Sequence, residues 1–161
     1  METFTYSFIN KIIFRFGNII VTLLLLVYLI PLIWYVDRSK ILIIPIIISL
    51  IILYIVNKVY FSYYKLLPYK IVADKEKMIC SNFIFSNKEL TIYYKDIESL
   101  TGGVFSRKLS GMMKVCDGKN KICIGFSQKM KNSSKLITLI LSNVKREIYD
   151  EVIENITAQK K

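Results

Sequence analysis

Residues 19–36 read IIVTLLLLVYLIPLIWYV, and residues 41–56 read ILIIPIIISLIILYIV. Neither run carries a charge, and Thr22 and Ser49 are their only clear polar interruptions. An α-helix rises about 1.5 Å per residue and a bilayer core is about 30 Å thick, so a crossing needs about 20 residues. The first run reaches that length by drawing on Phe16, Gly17 and Asn18. The second reaches it by continuing through Asn57 and Lys58 to Tyr60 and Phe61, with Lys58 snorkelling toward the headgroups. Both runs are apolar on every face, which suits a helix surrounded by hydrocarbon or wholly buried. The rest of the chain is too small to cover two such helices. A cleaved signal peptide fits poorly, because the second run follows at once with no A-x-A-like site between. Asp37, Arg38, Ser39 and Lys40 leave room only for a tight turn. The spans, about 16–36 and 41–61, are therefore antiparallel neighbours. Pro31 and Pro45 lie at nearly matching distances from the turn, and a shared kink is expected.

The flanks set the orientation. Lys11 and Arg15 precede the first span, and Lys58, Lys65 and Lys70 follow the second, against Arg38 and Lys40 in the turn. An excess of basic residues marks the cytoplasmic side, so both termini are expected in the cytoplasm of a multi-pass inner-membrane protein. Trp34 and Tyr35 suit the aromatic belt at the outer end; Phe14, Phe16, Tyr60, Phe61, Tyr63 and Tyr64 suit it at the inner end.

The whole chain has 161 residues, 53% hydrophobic, with a formal net charge of +11. Residues 1–61 contribute five basic and two acidic side chains, and the remainder contributes eighteen and ten. Histidine is absent, which removes Ser-His-Asp and Cys-His catalysis and every histidine-containing zinc site. Cys80, Cys116 and Cys123 form no CxxC pair, and in a reducing cytoplasm they are expected to remain packed thiols.

Beyond Pro68 the pattern changes to short β-rich runs separated by turns. Strands are expected at residues 69–73, 78–81, 83–85, 90–94, 97–100, 112–116, 122–126 and 136–141. Asp117, Gly118, Lys119 and Asn120 read as the turn of a hairpin. A C-terminal helix capped by Ser142 or Asn143 follows, with Val144, Ile148, Val152 and Ile156 in one apolar stripe beside Tyr149 and Ile153. The expected fold is an α+β membrane protein. Residues 1–67 hold the transmembrane hairpin, and residues 68–161 form a sandwich or barrel of about seven strands closed by one amphipathic helix.

The run Ile92-Tyr93-Tyr94-Lys95-Asp96-Ile97-Glu98-Ser99-Leu100, with Gly111, the 116–126 hairpin and the closing helix, resembles the bacterial pleckstrin-homology-like family found behind two transmembrane helices. The aspartate before the isoleucine that re-enters the core carries the likeness, which spans about residues 11–156. The resemblance implies a cytoplasmic domain for binding or assembly. In eukaryotic relatives the loop between the first two strands holds phosphoinositides with basic residues. Its counterpart here, residues 74–77, is half acidic.

The expected function is therefore a non-enzymatic, membrane-anchored scaffold or accessory subunit, without cofactor or metal, small-molecule substrate or nucleic acid. Its partners would be membrane lipid and either another protein or further copies of itself. Arg107 and Lys108, in the glycine-bearing loop 101–111, are the best exposed basic pair. Lys58, Lys65 and Lys70 are candidates for anionic lipid, at about 1 kcal/mol each near a membrane surface. Trp34, Tyr35, Tyr60 and Phe61 are the interface anchors. An open sheet edge could accept a partner strand. A lipid-surface sensor is the alternative. A small oligomeric pore is a third reading, opposed by spans that lack a polar face and a GxxxG motif.

Overall fold

The structure, a computed structural model, describes residues 1–83, 86–108 and 111–157, without the side chain of Tyr63. The expected Tyr63 anchor, the residues after Phe83 in the 83–85 strand, and Leu109 and Ser110 of the long loop lie outside the described residues. The chain forms two units: Met1–Asn10 together with the chain from Lys65 onward, and Lys11–Tyr64.

The first unit begins with a strand the sequence reading missed. Strand β1 (Glu2–Thr5) pairs antiparallel with β2 (Pro68–Ala73), with Phe4 opposite Ile71 and Thr5 opposite Lys70. Its signal is the alternation Thr3-Phe4-Thr5-Tyr6, in which Phe4 (1% exposed) and Tyr6 (2%) point into the core. The division of the chain is thus not one cut after residue 67. The N-terminal residues belong to the sheet unit, and the helical hairpin is inserted between its first two strands.

β3 (Lys77–Phe83) and β4 (Leu90–Tyr93) extend this into a four-stranded sheet in the order β1-β2-β3-β4. The runs at 78–81 and 83–85, expected as separate strands, begin as the single strand β3. Residues 74–77 form the turn between β2 and β3, so they do not join the first two strands of the domain. Asp74 holds that turn, its Oδ1 accepting from the backbone N–H of Glu76 at 2.8 Å and of Lys77 at 2.9 Å.

β5 (Ile97–Thr101), β6 (Met112–Asp117) and β7 (Ile122–Ser127) form a second, three-stranded antiparallel sheet. Among the described residues, seven strands in two sheets result, with no closed barrel. One cross-sheet row, Leu100, Val115 and Ile124, is buried, and the neighbouring row, Ser99, Cys116 and Cys123, is half-exposed on the other face. The expected thiols at Cys116 and Cys123 are joined as a disulfide, with Cα atoms 4.1 Å apart. The pairing register places them directly opposite each other.

Residues 136–141, expected as a strand, lie inside helix α3 (Ser133–Asn143). Ser133, Leu136 and Ile140 are buried, a spacing that fits 3.6 residues per turn. A six-residue apolar run does not distinguish a buried strand from a buried helix. The polar first turn, Ser133-Ser134-Lys135, makes this one longer and helical. The closing helix, α4 (Arg146–Thr157), starts after Lys145, whose carbonyl accepts from the N–H of Ile148 and Tyr149, both at 3.1 Å, so neither Ser142 nor Asn143 caps it. Ile148 and Val152 are buried, whereas Tyr149 and Ile153 are exposed, so the apolar stripe is narrower than expected. Two C-terminal helices stand where one was anticipated.

Phe4 tests the role of β1. Phe4→Ala should destabilise the sheet unit by about 3–5 kcal/mol in denaturant unfolding of the full chain followed by near-UV circular dichroism. Thr3→Ala, on the exposed face, should change it by less than about 0.5 kcal/mol.

Candidate functional site

The second unit is a pair of helices, α1 (Phe8–Tyr35) and α2 (Ile43–Tyr64), the latter entered through a short 3-10 turn (Lys40–Leu42). Both are long and apolar enough to cross a membrane. Among their described residues only Asn18, Leu29 and Ser49 are buried. Most of their Leu, Ile and Val side chains are therefore exposed. The two prolines play different parts: Pro31 lies inside α1, while Pro45 falls in the first turn of α2, where its missing N–H leaves no helical bond unmade.

The hairpin is joined by polar groups as well as apolar ones. Asn18 donates from Nδ2 to Oδ1 of Asn57 at 2.7 Å. The Nδ2 of Asn57 donates to Oγ1 of Thr22 at 3.3 Å and to the carbonyl of Leu53 at 2.9 Å. Asn18 and Thr22 share one face of α1, and Leu53 and Asn57 share one face of α2, each pair four residues apart. One amide thus links both helices. One helical turn nearer the chain ends, the Tyr60 hydroxyl is shared between the carbonyls of Phe14 at 2.7 Å and Arg15 at 2.8 Å. The Tyr60 ring lies 3.8 Å from that of Tyr64, and Phe14 meets Tyr64 edge-on.

The expected anchors divide accordingly. Trp34 (81% exposed) and Tyr35 project from the far end of α1, with Arg38 over the Tyr35 ring. Phe61 is exposed, but Tyr60 serves the helix pairing. Lys58 is exposed and sits over the Tyr54 ring. Lys65 and Lys70 are exposed in the sheet unit, Lys70 on β2 in register with Thr5. The amide pair went unrecognised as a site. Its available signal was that Asn18 and Asn57 stand nearly equally far from the 37–40 turn, so an antiparallel pairing sets them face to face.

Arg107 and Lys108 are exposed neighbours, but much of their loop is tied down. Phe105 is fully buried, Gly102 N–H donates to Ser106 Oγ at 2.7 Å, and Lys108 N–H donates to the Gly103 carbonyl at 2.8 Å. Gly102 has a φ of +76°, and a Cβ there would collide with the Met112 carbonyl oxygen. The described part of this loop is therefore a fitted corner with two cations on its surface.

Two of the four outer sheet edges are engaged. The Thr5 carbonyl accepts from Lys131 N–H at 2.9 Å and Tyr6 bridges to Met130, which occupies the free side of β1. On β7, Gly125 N–H donates to the Leu66 carbonyl at 2.7 Å. The Tyr6 hydroxyl accepts from Ser127 N–H at 2.7 Å, and burial raises its pKa above the ordinary phenol value. The remaining edges are β4 and β5, and beside β5 Asp96, Ile97, Glu98, Gly118, Lys119 and Lys145 line a shallow groove of mixed charge. No family model, curated protein or solved structure matches the chain, so its function is read from its own geometry.

Two outcomes follow. A double-mutant cycle of Asn18→Ala and Asn57→Ala should show a coupling of about 0.6–1.7 kcal/mol in hairpin stability, measured by steric trapping or helix-to-helix fluorescence transfer in micelles. The backbone donors of Glu76 and Lys77 hold the Asp74 carboxyl below its ordinary value. Its charge-dependent stabilisation is complete above the unfolded-state pKa and is lost as pH falls through the lower folded one. The stability gap between the natural chain and Asp74→Asn should therefore be flat at neutral pH and close only at the acid end of a denaturant series.

Proposed function

We propose that this chain is an inner-membrane hairpin protein with both termini cytoplasmic, whose pleckstrin-like sheet domain serves as a non-catalytic scaffold or accessory subunit. The carrying observation is the pairing of β1 with β2. Because the strand before the hairpin and the strand after it lie in one sheet, both ends of the hairpin belong on the same side of any membrane it enters. Uncovered apolar side chains along α1 and α2 support insertion. The choice of side rests on Lys11, Arg15, Lys58, Lys65 and Lys70 outnumbering Arg38 and Lys40 in the turn.

The scaffold reading is supported by the four-plus-three strand layout with helices at its C-terminal end. The working surfaces would be the edges of β4 and β5 and the Arg107–Lys108 corner. A strand added at either edge would be held by backbone hydrogen bonds and selected by alternate side chains.

Impermeant maleimide labelling tests the placement. Ser39→Cys should react on intact cells, Glu151→Cys only after permeabilisation, and the protein should stay in the pellet after alkaline carbonate. Reversed labelling would overturn the orientation, and release into the carbonate supernatant would overturn the anchor. For the scaffold role, in-cell crosslinking should yield a discrete species above the 18.8 kDa chain. A chain found only as monomer would sink that role.

A further inference from the structure

We propose that Cys116 and Cys123 form a reversible dithiol–disulfide couple on the outer face of the second sheet, exchanging with small thiols and disulfides while the domain stays folded. Three features carry this. The first is register: the two residues are direct partners on β6 and β7, with Cα atoms 4.1 Å apart in the bridged pair, so the cysteines face each other across neighbouring strands.

The second is access. Cys116 and Cys123 are only partly buried, and the residue beside Cys116 on β5 is the small Ser99. This row of short side chains lies opposite the buried row of Leu100, Val115 and Ile124. Attack on the bond therefore comes from the solvent side and leaves the core untouched. Cys80 is the contrast: it is fully buried, and burial pushes its thiol up to about 12, which keeps it out of exchange.

The third is that the hairpin does not need the bond. Its register continues on both sides of the cysteines, from Met112–Ser127 to Asp117–Ile122. Its turn is held by Asp117, whose carboxylate accepts from the N–H of Lys119 at 2.9 Å, the N–H of Asn120 at 3.2 Å and the Asn120 Nδ2 at 2.7 Å. Opening the bond removes a crosslink from a hairpin that its ladder and turn already define.

The exchange balances with a small disulfide as oxidant. One cysteine thiolate attacks a sulfur of the small disulfide, forming a mixed disulfide and releasing one small thiolate. The second cysteine thiolate then attacks the protein-side sulfur, closing the Cys116–Cys123 bond and expelling the second small thiolate. Two protein thiols and one small disulfide become one protein disulfide and two small thiols. Reduction is the reverse. The proposal does not depend on which side of a membrane the domain occupies.

The test uses the full chain in nanodiscs, equilibrated in glutathione buffers from fully reduced to fully oxidised. Samples are acid-quenched, denatured and counted for free thiols by a mass-tagged maleimide. Two thiols should appear together in one transition with the near-UV dichroism unchanged. Cys80→Ser should keep that transition, and Cys116→Ser should instead accumulate a single glutathione adduct on Cys123. A pair that stays in one state at every ratio until denaturant is added would overturn the proposal. So would loss of the folded signal on reduction, or an adduct on Cys80.

Discussion

Thr5 and Lys70 are register partners although the entire helical hairpin lies between them. A flexible loop of that length costs about 4 kcal/mol to close on the logarithmic part of the loop-closure law alone. Here the intervening chain is stiff and folds back on itself. The Tyr60 hydroxyl bonded to the carbonyls of Phe14 and Arg15 holds the two chain ends of the hairpin side by side. A hairpin whose two ends lie together leaves less of that closure cost to the pairing of β1 with β2. Burial of Phe4 and Tyr6 then secures the strand.

The same constraint explains why a few polar side chains sit among so many apolar ones. In an apolar medium, leucine and isoleucine gain no hydrophobic driving force from a neighbouring helix, only packing. Packing alone therefore leaves the register of two such helices weakly specified. Asn57 keeps its bond to the Leu53 carbonyl in any register, but it meets Asn18 and Thr22 only in this one. A slip of α2 along α1 would therefore cost the inter-helix bonds and leave the Asn18 amide without this partner. The amide cluster favours one register of the helical pair.

What the sequence disclosed follows from the strength of its local signals. Uncharged runs in residues 19–36 and 41–56 permit only one kind of element, and the two long helices are found there. Strands β2 and β4 to β7 lie within about one residue of their expected bounds, because turns with Asp, Asn, Gly and Ser separate them, whereas β3 was expected as two runs. Strand β1 was hidden because its four residues abut a long apolar helix and their partner strand is remote in sequence. Residues 136–141 were misread because β-branched and leucine-rich runs of that length satisfy both periods. Among the expected site residues, Arg107, Lys108, Lys58, Lys65, Lys70, Trp34 and Phe61 are exposed, whereas the inward role of Tyr60 depends on a carbonyl pair on the other helix. Pairing partners across an inserted hairpin are a tertiary fact, which composition and spacing do not encode.

Insertion of the hairpin also reshapes the sheet domain. A strand at the edge of a sheet leaves a row of unpaired backbone groups, and such edges invite unwanted pairing. Here β1 is enclosed by β2 on one side and by the Met130–Lys131 segment on the other. That segment runs directly into α3, so the strand, the loop and the helix stabilise one another. Glu2 on β1 also meets Lys135 of α3 at 2.7 Å, an exposed pair that adds little energy but fits the same docking. The C-terminal part of the domain therefore closes over the strand that precedes the hairpin.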